Sequence, residues 1–271
     1  MWDSHTVNRP RAVLITEVKS EKGLVKSLFF NDKFAADASP GNFLMVWIPG
    51  VEEVPMNLSR MDRSLQSITV WPYGAGTNAL CSMKEGDTIW IRGPYGVPYA
   101  IQGRKNLLVG SGSGLAPLYA LAKRMGAKKL SATFVLHAKN RDGLIFKKEL
   151  SEFCNVVAVT SDGSEGGKGA SSEIARDMIM DGDFDAVYAG LGEIEQKRIF
   201  EAAERKHIPV QFGLERSMLC AIGLCGSCSI GKYLVCKDGP IMRTEQIREC
   251  FEEFGVFRRN KSGAIVPVKE Y

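Results

Sequence analysis

The sequence predicts three parts in order: a β-domain of sandwich or small-barrel type, an α/β domain with a mostly parallel sheet, and a small C-terminal module. Short alternating apolar runs broken by Gly and Pro fill the span from Arg11 to Tyr99, as in small all-β domains. Strand and helix periodicities then take turns up to Phe212, as in βαβ units. Beyond Phe212, Gly and Cys replace the periodic apolar residues.

The first part is predicted from two-residue alternation, which Leu44, Val46 and Ile48 show most clearly. Such alternation is typical of strands with one buried face. The two-residue alternation gives way to alternating strand and helix patterns near Gly103, so we expect the β-domain to cover residues 1–102.

The second part is expected to cover residues 103–212. Asn106–Val109 has the pattern of a buried strand, and apolar residues from Leu118 to Met125 then share one helical face, with Gly126 ending the helix. Further strands are expected at Leu130–His137, Val156–Thr160, Phe184–Ala189 and Ile208–Phe212, and helices at Ile145–Phe153, Ser172–Met180 and Glu193–Lys206. The third part then covers residues 213–271.

Composition excludes several classes of protein. Hydrophobic residues make up 45% and charged residues 24% of the 271 residues, which argues against disordered, collagen-like and disulfide-scaffold chains. The formal net charge of +4, without a long basic run, does not predict a nucleic-acid partner.

The sequence predicts neither a membrane span nor a secretory leader. Its most apolar stretches, such as Asn106–Leu121, are interrupted by Gly and Pro, whereas a span needs about 20 apolar residues. The first residues, Met1 to His5, lack a basic region followed by an apolar core. We therefore expect a cytoplasmic protein, in which clustered thiols more often bind metal or act in redox chemistry than form disulfides.

The strongest chemical signal is a group of four cysteines, Cys220, Cys225, Cys228 and Cys236. The first three have the spacing C-x4-C-x2-C of a plant-type [2Fe–2S] site. A structural zinc site with four cysteines is the alternative, although such sites usually pair two C-x2-C units. The other cysteines, Cys81, Cys154 and Cys250, are expected to be ordinary buried or half-buried thiols.

A second signal is the glycine turn Gly110-Ser-Gly112-Ser-Gly114-Leu-Ala116-Pro117 between a predicted strand and helix. Such a turn exposes backbone N–H groups to a phosphate at the helix N-terminus. Its G-x-G-x-G spacing differs from the dinucleotide fingerprint, and a tight turn without a ligand is the alternative.

A third candidate site lies in the β-domain. Gly74 and Gly76 follow the strand Thr69-Val70-Trp71, and Thr77 can cap the next helix or bond a phosphate. An ordinary hairpin turn is the alternative, and Trp71 and Tyr73 are equally explained by packing.

The order of the three segments resembles that of the ferredoxin-reductase-like flavoproteins, specifically the electron-transfer subunit of dihydroorotate dehydrogenase, over nearly the whole chain. The family's C-x-D-G-P matches Cys236-Lys-Asp238-Gly239-Pro240 at the end of the cysteine block. The resemblance implies an FAD-binding barrel, a nucleotide-binding domain with a parallel sheet and a [2Fe–2S] module.

The family's FAD-binding R-P-F/L-S aligns with Met56-Asn57-Leu58-Ser59, where the serine matches but the arginine and proline do not. Its next strand and G-x-G-T turn match Thr69-Val70-Trp71 and Gly74-Ala75-Gly76-Thr77, and G-P-L-G matches Gly93-Pro94-Tyr95-Gly96. The resemblance implies an FAD diphosphate near Gly76 and Thr77, and an isoalloxazine near Leu58, Ser59 and Thr69–Trp71. Arg60 or Arg63 is expected to replace the missing arginine.

On the NAD side, G-G-G-x-G-x-A-P-L resembles the turn at Gly110, Gly112 and Gly114, and T-x-D-G-S resembles Thr160-Ser-Asp162-Gly163-Ser164. The nicotinamide is expected near Gly190. The family's C-G-P-x-x-M is replaced there by Tyr188-Ala189-Gly190-Leu191-Gly192, which predicts weak or absent turnover of NADH.

The resemblance implies that a flavin-containing dihydroorotate dehydrogenase subunit, working in pyrimidine biosynthesis, passes electrons to this chain within a heterotetramer. They then travel through [2Fe–2S] to FAD and on to NAD or another acceptor. A flavin must lie between the iron–sulfur centre and NAD, because a hydride carries two electrons and an iron–sulfur centre carries one. No general acid or base is therefore expected in this chain.

Two alternatives stay open. The same modules also serve sulfide dehydrogenase, glutamate synthase and hydrogenase assemblies, and a zinc-stapled binding protein without flavin would have similar glycine turns. The partner's docking face is expected at the cysteine module, where Leu219, Ile222 and Leu224 form either an exposed apolar patch or the module's own core.

Overall fold

The computed structural model describes residues 7–269. Met1 to His5, on which the prediction about a secretory leader rests, lie outside the described residues. Two seven-stranded sheets and two short two-stranded ribbons make up the strands of this range. Among these residues, no helix has both the length and the apolar character to cross a membrane.

The first sheet is antiparallel and has the order β1-β7-β4-β5-β6-β3-β2. Its strands are β1 (Arg11–Leu14), β2 (Glu17–Ser20), β3 (Lys26–Phe30), β4 (Phe43–Ile48), β5 (Glu52–Asp62), β6 (Leu65–Val70) and β7 (Thr88–Tyr95), and its helices are α1 (Lys33–Ala36) and α2 (Ala75–Ser82). The sheet is a curled half-barrel, which confirms the predicted β-domain.

The alternation on β4 explains how the half-barrel joins the rest of the molecule. Leu44 and Val46 are buried in the barrel core. Phe43 and Met45 point to the opposite face and belong to a core that the C-terminal module shares. Residues 43–46 of this strand are therefore buried on both faces, while Trp47 is 40% exposed.

The second sheet is parallel over its first six strands and confirms the predicted α/β domain. Its elements up to residue 213 are β8 (Lys105–Ser111), α3 (Leu115–Ala127), β9 (Ser131–Ala138), α4 (Lys147–Leu150), β10 (Asn155–Thr160), β11 (Gly167–Lys168), α5 (Ser171–Asp181), β12 (Ala186–Gly190), α6 (Glu193–Arg205) and β13 (Val210–Gly213). The sheet is buried on both faces, since Leu107 and Val109 of β8 pack in one core and Leu108 in the other.

The strand order β11-β10-β9-β8-β12-β13 reverses direction between β8 and β12. Ligands of open parallel sheets bind at the carboxyl ends of strands at such a reversal. Gly110 pairs with Gly190 at that end of the two strands, so the fold brings the predicted glycine turn and the predicted nicotinamide position together.

The C-terminal module contains β14 (Ser229–Ile230), β15 (Tyr233–Leu234), α7 (Val235–Asp238), β16 (Ile241–Arg243), α8 (Thr244–Glu249), β17 (Phe257–Arg259) and β18 (Ile265–Pro267). The strand β16 pairs antiparallel with β13 and completes the second sheet. The module is thus continuous with the α/β domain through this strand.

Two helix predictions were wrong in their extents. The helix expected over Ile145–Phe153 is only Lys147–Leu150, because Phe146 before it adopts a left-handed conformation with φ of 61°. The helix expected to stop at Gly126 continues to Ala127. The left-handed residue that follows this helix is Lys129, with φ of 55°.

Candidate functional site

The four cysteines predicted as iron ligands form two pairs. Cys220, Cys225 and Cys228 lie on the loop between β13 and β14, and Cys236 lies in α7. Hydrogen bonds between side chains link Cys220 to Cys225 and Cys228 to Cys236. Cys228 and Cys236 are buried, whereas Cys225 is exposed. Two pairs of thiols suit a centre with two irons.

Backbone amides surround the sulfur atoms. The N–H groups of Leu224 and Cys225 donate to Cys220 Sγ at 3.4 Å each, and the N–H of Cys236 donates to Cys228 Sγ at 3.4 Å. Burial tends to raise the pKa of Cys220, but these amides outweigh it and lower the pKa to about 7. The hydrogen bond from the Cys236 side chain, with a smaller contribution from the Cys236 amide, lowers the pKa of Cys228 to about 7. Thiolates of Cys220 and Cys228, the form that binds metal, are therefore accessible near neutral pH, whereas the hydrogen bond shared with Cys228 raises the pKa of Cys236.

Gly223 and Gly226 shape this loop, with φ of +77° and +73° in the left-handed region that favours glycine. Over residues 7–269, no group of three or more His, Cys, Asp or Glu side chains is arranged to hold a metal ion. Charges also interact across the two pairs, between Cys225 and Cys228 and between Cys220 and Cys236, so the four sulfur atoms lie close together. The donor set, its pairing and its amide hydrogen bonds fit a [2Fe–2S] centre.

The remaining cysteines lie outside the cysteine loop and α7. Burial raises the pKa of Cys154 and of Cys250 to about 11 and also raises that of Cys81. Cys250 is buried and Cys81 and Cys154 are half-buried, in agreement with the sequence prediction.

The three parts of the chain meet at a cleft of about 210 Å³. Its volume is below the roughly 300–1,000 Å³ of a pocket that encloses a whole drug-sized ligand, so a dinucleotide bound there would extend beyond it. The lining residues are Phe43, Pro55, Met56, Asn57, Thr69, Trp71, Tyr73, Thr77, Ser113, Ala116, Leu214, Glu215, Arg216, Met218 and Pro240.

Five of the predicted FAD contacts therefore line the cleft: Met56, Asn57, Thr69, Trp71 and Thr77. Apolar and aromatic surface combined with a few amide and hydroxyl groups suits a flavin. The residues present at this cleft thus fit the cofactor that the resemblance implies.

Three other predicted contacts, Leu58, Ser59 and Val70, have side chains that face away from the cleft. Leu58 and Val70 are fully buried in the barrel core. Ser59 sits where the register between β5 and β6 shifts, and its hydroxyl lies 2.9 Å from Ser67 Oγ and accepts from Thr69 Oγ1 at 2.8 Å. This bulge turns Ser59 inward, so its side chain supports Thr69 instead of lining the cleft.

The turn before α2 is already hydrogen-bonded within the chain. The N–H groups of Tyr73 and Gly74 donate to Thr77 Oγ1 at 2.9 Å each, so Thr77 caps the helix. The N–H of Gly76 donates to Glu52 at 2.8 Å, and Glu52 is paired with Lys261. The Glu52 carboxylate thus already accepts the hydrogen bond of the Gly76 N–H, the group beside which the FAD diphosphate was expected.

Neither arginine expected to replace the missing FAD arginine lines the cleft. The Arg60 guanidinium lies 5.7 Å from the centre of the Phe29 ring and 3.4 Å from Asp62. Arg63 lies in the turn between β5 and β6. The arginine that lines the cleft is Arg216.

The glycine turn after β8 owes part of its composition to packing. A Cβ at Gly114 would lie 2.3 Å from the carbonyl oxygen of Gly190, and one at Gly190 would lie 2.8 Å from that of Gly114. These two glycines are required because the turn touches the end of β12. Gly112, with φ of +51°, faces the hydroxyl of Tyr73, so the turn also abuts the β-domain at the cleft.

Asp162 and Gly163 lie just beyond the carboxyl end of β10. Hydrogen bonds from Ser164 lower the pKa of Asp162, and the N–H of Ser164 donates to its carboxylate at 2.9 Å. An ionised carboxylate at this edge of a parallel sheet can accept hydrogen bonds from ribose hydroxyls.

The sequence did not predict a buried ion-pair network beside the cleft. Arg216, 5% exposed, donates to Glu193 at 2.8 Å and to Glu253 at 3.2 Å. Glu193 begins α6 just after Gly190, so the network ties the expected nicotinamide position to the cysteine module. The one signal in the sequence was the charged pair Glu215-Arg216 directly before an apolar, cysteine-rich segment.

Comparisons with known proteins agree with this geometry. The model of the iron-sulfur cluster binding domain of dihydroorotate dehydrogenase B matches residues 215–248. The probable dihydroorotate dehydrogenase B (NAD(+)) electron transfer subunit of Thermoplasma volcanium is 38% identical over 249 residues, covering 92% of this chain and 95% of the relative. The corresponding protein of Thermococcus kodakarensis is 40% identical over 237 residues, covering 88% and 97%.

Among solved structures, a chain from an NADH-dependent reduced ferredoxin-NADP oxidoreductase, described for flavin-based electron bifurcation, superposes with a TM-score of 0.77. It is 28% identical and covers 89% of this chain and 91% of that one. The fold is ferredoxin-reductase-like with a C-terminal iron–sulfur binding domain, and the chain belongs to the family of dihydroorotate dehydrogenase B electron transfer subunits.

Proposed function

We propose that this chain carries electrons between a flavin-containing dihydroorotate dehydrogenase catalytic subunit and NAD, through a [2Fe–2S] centre and FAD. The relatives' name as electron transfer subunits supports the class of reaction. The partner is the subunit that oxidises dihydroorotate in pyrimidine biosynthesis.

One observation carries the proposal: the cysteine loop leaves directly from the wall of the cleft. Met218 lines the cleft, and Cys220 follows two residues later. Two residues span at most about 7 Å of extended chain. A ring held in the cleft is therefore close to the first ligand of the iron centre.

When bound, FAD exchanges electrons singly with the iron centre and in pairs with a hydride carrier. The residues of this chain would hold the flavin and the iron centre at a fixed position relative to each other. Segment 214–218 covers one side of the cleft and is anchored at three consecutive residues, since the Leu214 N–H donates to the Pro240 carbonyl oxygen, Ser113 donates to Glu215 and Arg216 pairs with Glu193. The four cysteines would hold the two irons, and the amides around Cys220 and Cys228 stabilise negative charge on sulfur.

For the nucleotide, we propose contacts from Gly110, Gly112 and the residues Asp162-Gly163, with the nicotinamide near Gly190. All lie at the carboxyl edge of the parallel sheet. Leu191 is buried at the position of the family's proline, so the chain presents no cysteine or proline to the nicotinamide there.

We expect NADH to reduce the bound flavin slowly because of this replacement at residues 189–191. Anaerobic stopped-flow mixing, monitored at the flavin absorbance, measures the rate. Bleaching within milliseconds at modest NADH would show that the replacement does not matter.

The docking face for the catalytic subunit is proposed around the cysteine loop. Leu219, Ile222 and Leu224 are 45%, 49% and 81% exposed, and exposed apolar patches of this kind mark interfaces. Cys225 is itself exposed, so electrons can enter at the surface here.

Leu224→Glu should weaken binding of the catalytic subunit at least about tenfold, or roughly 1.4 kcal/mol, because it places a charge in a desolvated contact. Calorimetry of the two purified subunits measures the affinity. Leu24→Glu is the matched control, since Leu24 is 76% exposed on the β-domain and should have no effect. Equal affinities for the two variants would place the interface elsewhere.

We further propose that residues 1–102 bind FAD, residues 103–212 bind the nucleotide and residues 213–271 hold the iron–sulfur centre, with β16 docking this last part on the nucleotide-binding part. We also propose that two copies of each subunit form a heterotetramer in the cytoplasm. Co-expression with the catalytic subunit, followed by gel filtration with mass determination, tests the assembly. Failure to form any complex would favour another partner for the same modules.

A further inference from the structure

One side chain of the barrel reaches directly into the cysteine loop. Arg92, on β7, donates from Nη1 to the carbonyl oxygen of Cys220 at 2.8 Å and from Nη2 to that of Leu219 at 3.4 Å. No other part of the proposed mechanism uses this arginine. It joins the FAD barrel to the peptide that carries the first iron ligand.

The guanidinium is fixed from the barrel side. Arg92 Nε and Nη2 donate to the two carboxylate oxygens of Glu53 at 2.6 and 2.7 Å, and Glu53 lies on β5, two strands away from β7 across β4. The Tyr95 ring centre lies 5.6 Å from the guanidinium carbon. The side chains of Arg92 and Glu53 are only 14% and 24% exposed, so this bidentate pair has little freedom to move.

The charge on Arg92 is permanent. A guanidinium stays protonated in proteins, and the Glu53 carboxylate held against it stabilises the charged form. Because the pair is partly desolvated, its field is screened less than that of an exposed pair. A cation and an anion are therefore held at fixed and unequal distances from the loop, with only the cation in contact with it.

We propose that Arg92 and Glu53 position the Cys220 loop on the FAD barrel and set the reduction potential of the iron–sulfur centre. The inference rests on the proposed function, since it concerns the centre that these cysteines would hold. Arg92 and Glu53 are positioning residues that act through the peptide of Cys220. The pair is coupled, so removing either member leaves the other uncompensated.

The sign of each effect follows from Coulomb's law. Reduction adds one electron and no proton to the centre, so a nearby cation favours the reduced form and a nearby anion disfavours it. Arg92→Met removes the cation and leaves Glu53 unpaired, which lowers the potential. Glu53→Gln leaves the Arg92 cation uncompensated, which raises the potential.

The test is an EPR-monitored redox titration of the purified chain with its FAD and iron centre, without the partner. Both variants should shift the one-electron equilibrium about tenfold, or roughly 59 mV, in opposite directions. Arg248→Met is the matched control, because Arg248 forms a bidentate pair with Glu204 at 2.8 and 2.8 Å away from the cysteine loop. It should leave the potential unchanged.

A purely structural role would loosen the loop in both variants and shift both potentials the same way, or not at all, and either result overturns the inference. If Arg92→Met does not retain iron, the sign of the Glu53→Gln shift alone decides. Positioning has its own readout: amide hydrogen exchange over residues 219–225 should speed up in Arg92→Met and in Arg92→Lys, and unchanged exchange overturns that part. The two variants could shift the reduction potential in opposite directions while the wild-type chain accepts no electrons from the catalytic subunit. That result would contradict the proposed function and leave the role of Arg92 and Glu53 intact.

Discussion

Cys236→Ser is expected to strip iron and acid-labile sulfide from the chain while leaving FAD bound. Cys236 is 2% exposed and hydrogen-bonded to Cys228 within the shared core. A serine hydroxyl at that site does not supply a thiolate, and the second pair of ligands is broken. Iron, sulfide and flavin analyses of the purified variant, with its visible absorbance, measure the result.

Cys250→Ala is the matched control. Cys250 is equally buried, at 4% exposed, but it follows α8 instead of lying in the cysteine loop or α7, and its Sγ donates to the Ile247 carbonyl oxygen at 3.7 Å. It should keep its full iron content. Retention of iron in Cys236→Ser together with its loss in Cys250→Ala would make Cys250 the fourth ligand.

Arg216→Met should lower the free energy of unfolding by about 3–5 kcal/mol, the usual cost of leaving a buried charge without its partner. Arg216 bridges Glu193 and Glu253, and Glu193 is 5% exposed. Burial already raises the pKa of Glu193. The loss should therefore shrink as the pH falls and Glu193 takes up a proton. Urea unfolding at two pH values measures both effects.

Two comparisons isolate the buried charge. Arg248→Met removes an exposed arginine of similar bidentate geometry and should cost no more than about 1 kcal/mol. Adding Glu193→Gln to Arg216→Met should recover part of the loss. If Arg216→Met costs no more than Arg248→Met, the network does not tie the module to the α/β domain.

The parts of the fold that follow from local pattern could be predicted from the sequence. The alternation at Leu44 and Val46 and the helical face from Leu118 to Met125 each reflect burial against one core, and both are buried as expected. The cysteine spacing likewise reports local chain geometry. Such signals are contained within a few residues and need no knowledge of distant partners.

The parts that depend on distant contacts could not be predicted. A one-residue register shift turns Ser59 into the barrel, and a carboxylate 24 residues away occupies the Gly76 amide. Arg92 reaches a carbonyl 128 residues away. Nothing in the local pattern around these residues distinguishes them from ordinary surface or turn positions.

Anaerobic addition of dihydroorotate to the complex of this chain with the catalytic subunit, followed by EPR, tests electron transfer through the four cysteines most directly. We expect the signal of a reduced [2Fe–2S] centre in the wild-type complex and subsequent bleaching of FAD. In the Cys236→Ser complex, FAD should stay oxidised while the catalytic subunit's own flavin is reduced. Dihydroorotate oxidation that never reduces the centre, or FAD reduction that survives its loss, would contradict the proposed path.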